Sequence, residues 1–260
     1  MTNGRVFAEC RAGNRAEARF CRRCGAPFAP AELLAEPGGS DAAGVADEPA
    51  SVDEQRVFIE LCWLCGAALT LSVVYAIVAR LWGLDPRVEL SATAAVGVLV
   101  LVSMALNGAL VRAALRLPSL RDLRDTLLVA LVAGPALSLG FSVLQRLGFT
   151  LYSSYLTVYV HAGWPVWVGF ASIAGVTPVC EELLFRGVIQ PKLEQIIAPT
   201  EALIVQAALF SALHLSVVIL ITHFAMNLAF GWIRRRTGSL LPGMLLHGAW
   251  NFWVLWSTLS

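Results

Sequence analysis

The chain is 260 residues long, 57% hydrophobic and only 14% charged, with a net charge of +1 and a mean hydropathy of +0.70. Soluble domains carry about 25% charged residues, so this composition excludes an ordinary soluble domain and points to a polytopic membrane protein in contact with lipid. No basic stripe is interleaved with aromatic residues, which excludes a nucleic-acid partner.

The first residues, "MTNGRVFAEC", contain no apolar core, so no cleavable signal peptide is expected. Residues 1–26 are short, basic and cysteine-bearing. The knuckle "FCRRCGAPF" carries Cys21 and Cys24 in the C-x-x-C-G spacing that lets two thiolates on a tight turn chelate one ion, with Cys10 upstream. The stretch "CRAGNRAEARFCRRCG" resembles the zinc-ribbon heads fused to some bacterial membrane proteins, but it lacks the second upstream cysteine. Three thiolates are an incomplete tetrahedral set, which leaves two readings: a bound structural zinc or a degenerate, metal-free remnant.

Residues 27–55 hold Glu32, Glu36, Asp41, Asp47, Glu48, Asp53 and Glu54 with no Lys or Arg among them. Rich in Ala, Pro and Gly, the segment cannot bury enough apolar surface to fold and is expected to be a disordered acidic linker. The membrane domain is expected over 56–260, cut into stretches of roughly 20 apolar residues as a bilayer requires.

The predicted spans are 57–80, 90–112, 126–145, 165–192, 200–215, 216–233 and 239–257. Splitting the long apolar run after residue 200 into two spans rests on charge. With seven spans and a cytoplasmic N-terminus, one side receives Arg112, Arg116, Arg121, Arg124, Lys192, Arg234, Arg235 and Arg236, whereas the other receives Arg80, Arg87 and Arg146. That is the asymmetry of the positive-inside rule. The expected fold is therefore an all-α, polytopic transmembrane bundle of about seven helices. Cys62, Cys65 and Cys180 fall inside spans and read as small buried hydrophobes.

The fourth span breaks the pattern. After the oily run "VWVGFASIAGVTPV", the stretch "CEELLFRG" brings in Glu181, Glu182 and Arg186. On a helix Glu182 and Arg186 face the same way and can pair, while Glu181 is turned about 100° away and is left uncompensated. An ionised side chain at mid-membrane costs at least ~2.5 kcal/mol, so such residues ordinarily serve a function and face protein or water. Pro178 is expected to loosen the helix backbone just before them. A structural ion pair is the competing account of Glu182 and Arg186 alone.

Further polar residues weigh against that account. His214 closes "FSALHL", and "LLHGAWNFW" places His247 and Asn251 four apart on one face. Buried polar groups in lipid need partners, and a pooled, water-filled site satisfies them together. The set suits attack of water on a carbonyl. Glu181 and His214 would activate the water, and His247 with Asn251 would stabilise the oxyanion. Glutamate and two histidines can also hold zinc, but no H-E-x-x-H is present, and metal-free chemistry is preferred.

At these residues the chain resembles the CPBP family, the CAAX-protease and bacteriocin-processing (Abi) intramembrane endopeptidases. "EELLFR", "FSALH" and "HGAWN" match its motifs E-E-x-x-x-R, F-x-x-x-H and H-x-x-x-N in order, and "GWIRRRTGSLLPGMLLHGAWN" is similar to its usual run into the last motif. The likeness covers about residues 165–255. It implies an intramembrane endopeptidase with Glu181 as catalytic glutamate, Glu182 beside it and Arg186 in support. It further implies that His214 shares in water activation, that His247 and Asn251 form the oxyanion site, and that no cofactor is required. The arginine-heavy, alanine-rich composition looks bacterial, which favours a membrane-associated peptide or protein substrate over a prenylated one, in a bacterial cytoplasmic membrane. Two other classes compete: a catalytically silent immunity or scaffold protein, and a proton-coupled transporter.

Overall fold

The computed structural model describes residues 53–149 and 155–257. Cys10, Cys21 and Cys24, and nearly all of the acidic segment, lie outside the described residues. Among the described residues there are nine helices and no strand. These are α1 (Glu54–Trp82), α2 (Pro86–Leu106), α3 (Gly108–Ala114), α4 (Leu120–Arg146), α5 (Tyr155–His161), α6 (Val166–Ile196), α7 (Pro199–Leu213), α8 (Val217–Thr237) and α9 (Leu241–Ser257). Five of them, α1, α2, α4, α6 and α8, are long and apolar enough to cross a membrane, and α7 is a shorter apolar helix of 15 residues.

The helix starts are written locally. Asp53 accepts a hydrogen bond from the Arg56 N–H at 3.0 Å and Asp85 from the Arg87 N–H at 2.7 Å, with Pro86 pre-set for the first turn. Ser119 and Asp122 form a reciprocal capping box on α4. Gly238, at φ +67°, ends α8 in the left-handed conformation that suits glycine.

Three boundaries differ from the hydropathy reading. The predicted span 90–112 ends at Leu106, because the Asn107 side chain donates to the Ser103 carbonyl at 3.0 Å and competes with the helix ladder. Tyr155–His161 adds a short helix that hydropathy did not mark. The split in the late apolar run falls at His214–Ser216, where Leu215 takes φ +51°, costly for a residue with a Cβ.

The most apolar windows of α1, α2 and α4 have no more than 11% of their residues buried, whereas those of α6 and α8 reach 39%. The bundle therefore wraps around α6. Its faces meet α7 through Phe185 and Phe210, α3 where Val111 lies against Gly187, and α2 through the polar contact of Thr93 with Ser172. At the other side of that contact, Glu89 on α2 accepts from Ser172 at 2.8 Å and from the Tyr159 hydroxyl of α5. Burial, reinforced by the Glu89 carboxylate, holds the Tyr159 phenol above its usual range and so keeps it a donor.

The central helix is irregular in a particular way. It widens into π-helical turns at Phe170–Val176 and Leu183–Ile189. Each turn is followed, one residue on, by a proline: Thr177 donates to Ser172 and Pro178 follows, and Gln190 donates to Phe185 and Pro191 follows. A proline in a regular helix clashes with the carbonyl four residues back and donates nothing. A wider turn before it absorbs that misfit, and such turns recur at functional sites.

Candidate active site

Glu182 and Arg186 sit on the second wide turn of α6 and its approach. The Glu182 carboxylate lies 3.0 Å from Arg186 Nη1, with side-chain exposures of 1% and 0%. The guanidinium is only partly satisfied: among the described residues Nε meets no acceptor and Nη1 faces Glu182 without a hydrogen bond, so the contacts of Nη2 and the flanking rings matter the more for a pair so buried. Arg186 Nη2 donates to the Asn227 side-chain oxygen and, at 3.4 Å, to the Asn227 carbonyl on α8. The Phe210 and Phe230 rings flank the guanidinium at 5.1 and 5.7 Å from their centroids, a cation–π sandwich. Asn227 Nδ2 in turn donates to the His223 carbonyl at 2.6 Å.

Further along the same face of α6, Gln190 donates to Glu194 at 3.1 Å and to the Gly231 carbonyl at 3.4 Å. Glu182, Arg186, Gln190 and Glu194 are spaced by four and so form one polar file down the helix. Gly231 lets α8 close on α7 and on Gln190 of this file: a Cβ there would stand 2.5 Å from Leu203, 2.7 Å from the Gln206 amide and 3.2 Å from Gln190 Oε1. Gly243 does the same for α9, since a Cβ there would stand 2.8 Å from Glu182 Oε2.

That close approach carries His247 to the glutamates. Its Nδ1 lies 3.3 Å from Glu182 Oε1 and its Nε2 lies 3.4 Å from Glu181 Oε2. The imidazole is 3% exposed, and Glu181 keeps 21% exposure, the most of the three. His214 caps α7 and His223 lies on α8, and their rings face each other at 4.4 Å. The Nδ1 of each sits against its own helix, His214 at 2.9 Å from the Phe210 carbonyl and His223 at 3.0 Å from Ile219. Carbonyls only accept, so both rings donate through Nδ1 and present Nε2 as an acceptor. Phe210 bridges the two groups, 4.8 Å from the His214 ring and 6.1 Å from that of His247.

The structure thus brings Glu181, Glu182, Arg186 and His247 into one network, with His214 joined to it through Phe210. Glu181 meets His247, while the ring that His214 meets is His223. Asn251 lies one turn beyond His247 and donates through Nδ2 to the Ile173 carbonyl of α6 at 2.9 Å. Sequence reasoning missed His223 and Asn227. The signal was present: "HFAMN" repeats in α8 the four-residue His-to-Asn spacing of "HGAWN".

Among the described residues no three His, Cys, Asp or Glu side chains are grouped to hold a metal ion. The reason is visible at His247, whose two nitrogens each face a different carboxylate and are spent on that contact. Cys180, beside Glu181, is a buried free thiol.

Residues 162–253 match the family model Rce1-like, type II CAAX prenyl endopeptidase. No curated protein and no solved structure matches the chain.

Proposed function

We propose that this chain, whose residues 162–253 match the model of Rce1-like type II CAAX prenyl endopeptidases, is an endopeptidase that cleaves a membrane-associated peptide or protein with water. The observation that carries the reading is His247 held between Glu181 and Glu182 while Arg186 balances Glu182. A structural ion pair needs only one carboxylate. The second, Glu181, is the more exposed and is free to act on a substrate.

In this mechanism a water molecule rests against Glu181 and the bare Nε2 of His214. Glu181 removes a proton as the water oxygen attacks the scissile carbonyl carbon. His247 is held by Glu182 through Nδ1 and donates from its Nε2 edge to the oxyanion that develops beside Glu181. The second Nδ2 hydrogen of Asn251, the one not given to Ile173, supplies another donor. Collapse of the tetrahedral intermediate breaks the C–N bond, and Glu181 returns its proton to the leaving amine. The products are a carboxylic acid and an amine, and the site ends in its starting state. Neither a metal nor a cofactor takes part.

The test is a comparison of peptide termini in membranes from cells carrying wild type or Glu181→Gln at matched expression. Defined neo-termini are expected to vanish in the variant while their uncut precursors accumulate, and the cut sites would name the substrate. Identical termini in both strains, with a phenotype that still depends on the protein, would instead favour a binding role.

A further inference from the structure

The helix bond pattern around Pro178 leaves one carbonyl without a donor. Along a helix, the carbonyl of Ile173 is served by the N–H four residues on in an α-turn or five residues on in a π-turn. The fourth is Thr177, whose N–H goes to Ser172, and the fifth is Pro178, which has none. A backbone acceptor left bare in a membrane bundle is strongly disfavoured. Asn251 fills the gap from α9 at 2.9 Å. The next carbonyl, that of Ala174, meets α9 at Gly248, where a Cβ would stand 2.9 Å from it. Pro178 thus leaves the Ile173 carbonyl as a seat for Asn251, and Gly248 lets α9 pass close to the neighbouring Ala174 carbonyl.

His247 adjoins Gly248 on this helix. The seat therefore sets the register of α9 that puts the imidazole against Glu181 and Glu182. We propose that Pro178 is a positioning residue: by withholding an N–H it creates the acceptor that fixes the Asn251 carboxamide and, through α9, the His247 ring. The carbonyl seat stands on geometry alone, whereas its consequence for cleavage rests on the endopeptidase reading above.

A melting cycle on the full chain in detergent tests the seat without reference to activity. Asn251→Leu keeps the volume of the side chain and removes its donor, so it is expected to lower the melting temperature by about 2–4 °C. Pro178→Ala restores an N–H able to serve the Ile173 carbonyl. In that background Asn251→Leu is expected to cost less than half as much. Equal losses in both backgrounds would overturn the proposal. Should Pro178→Ala fail to fold, carbonyl 13C labelling of isoleucine reads the contact directly. The Ile173 resonance is expected to move upfield in Asn251→Leu, and an unmoved resonance would overturn the seat.

Cleavage adds the functional arm. Pro178→Ala is expected to lose at least tenfold in neo-termini while melting no lower than wild type, since it gains a helix bond. Undiminished cleavage in that variant would remove the positioning role. Absence of neo-termini in wild type would count against the endopeptidase reading, and the melting cycle would still judge the seat.

Discussion

Arg186 is among the largest fully buried side chains in the protein, and everything around it serves to keep a full charge away from water. Glu182 supplies the countercharge, two phenyl rings supply polarisable walls, and Asn227 supplies neutral oxygens. Asn227 is itself wholly buried and accepts from Gln206 at 3.2 Å through its backbone carbonyl, so it joins α6, α7 and α8 at one point. Replacing it with leucine fills the same space and strips the side-chain oxygen from the guanidinium. The cost of an unmet buried donor is about 1–3 kcal/mol, more when the donor is charged. Asn227→Leu is therefore expected to destabilise the bundle by at least ~2 kcal/mol, read as a lowered melting temperature in detergent. It is also expected to reduce cleavage, because Arg186 keeps only the Asn227 backbone carbonyl and the two rings beside Glu182, and draws that carboxylate from His247. A melting temperature within a degree or so of wild type would show that Asn227 contributes nothing to holding the charge.

At the scale of the helix, the wide turns of α6 and the glycines of α8 and α9 decide how near the polar groups of the candidate site come. Glu182 is pinned by Arg186, so a methyl group at position 243, 2.8 Å from its oxygen, has to push α9 away. The contacts of His247 with the glutamates stand at 3.3 and 3.4 Å, and a shift of a few tenths of an ångström weakens both. Gly243→Ala is expected to cut cleavage by one to two orders of magnitude, as misplacement of a catalytic group does. Gly66→Ala on α1, where a Cβ meets nothing within 4 Å, serves as the control and is expected to leave cleavage unchanged. This level of structure was the least legible in the sequence. Apolar runs of about 20 residues located the long helices because lipid selects for them, and three motifs located Glu181, Glu182, Arg186, His214, His247 and Asn251. Hydropathy is blind to hydrogen-bond register, so neither the wide turns nor the break at Asn107 could be read from it. His223 and Asn227 were overlooked although "HFAMN" repeats the His-to-Asn spacing of "HGAWN", and what the pair meets is visible only once α6 and α7 are packed beside α8.

Over the whole molecule, the two ends of the bundle differ in chemistry. At one end the start of α1, the α3–α4 connection, the end of α6 and the α8–α9 turn are tied by charge and by backbone contacts. Lys192 pairs with Glu60, Arg236 with Asp125 at 3.1 Å, and Arg235 with Glu194 at 3.8 Å, while Ser239 donates to the Arg116 carbonyl at 2.6 Å. At the other end Glu89 is met only by the hydroxyls of Tyr159, Ser172 and Thr93 among its described partners. Apart from Lys192, which is buried, these pairs lie at the partly exposed rim, where ion pairs add little stability, and the cationic end is expected to act as a determinant of orientation. Arginine resists passage across the bilayer during insertion, so this end is expected on the cytoplasmic side. The two ends of α4 make the prediction sharp. Leu117, 82% exposed, precedes the helix on the cationic side, and Leu147, 68% exposed, follows it, about 40 Å away along a helix of 27 residues. With the six native cysteines replaced, Leu147→Cys is expected to react with a membrane-impermeant maleimide on intact cells. Leu117→Cys is expected to react only after the membrane is opened. The reverse pattern would put the arginines outside and overturn the topology, and labelling of both in intact cells would mean that α4 does not cross the membrane at all.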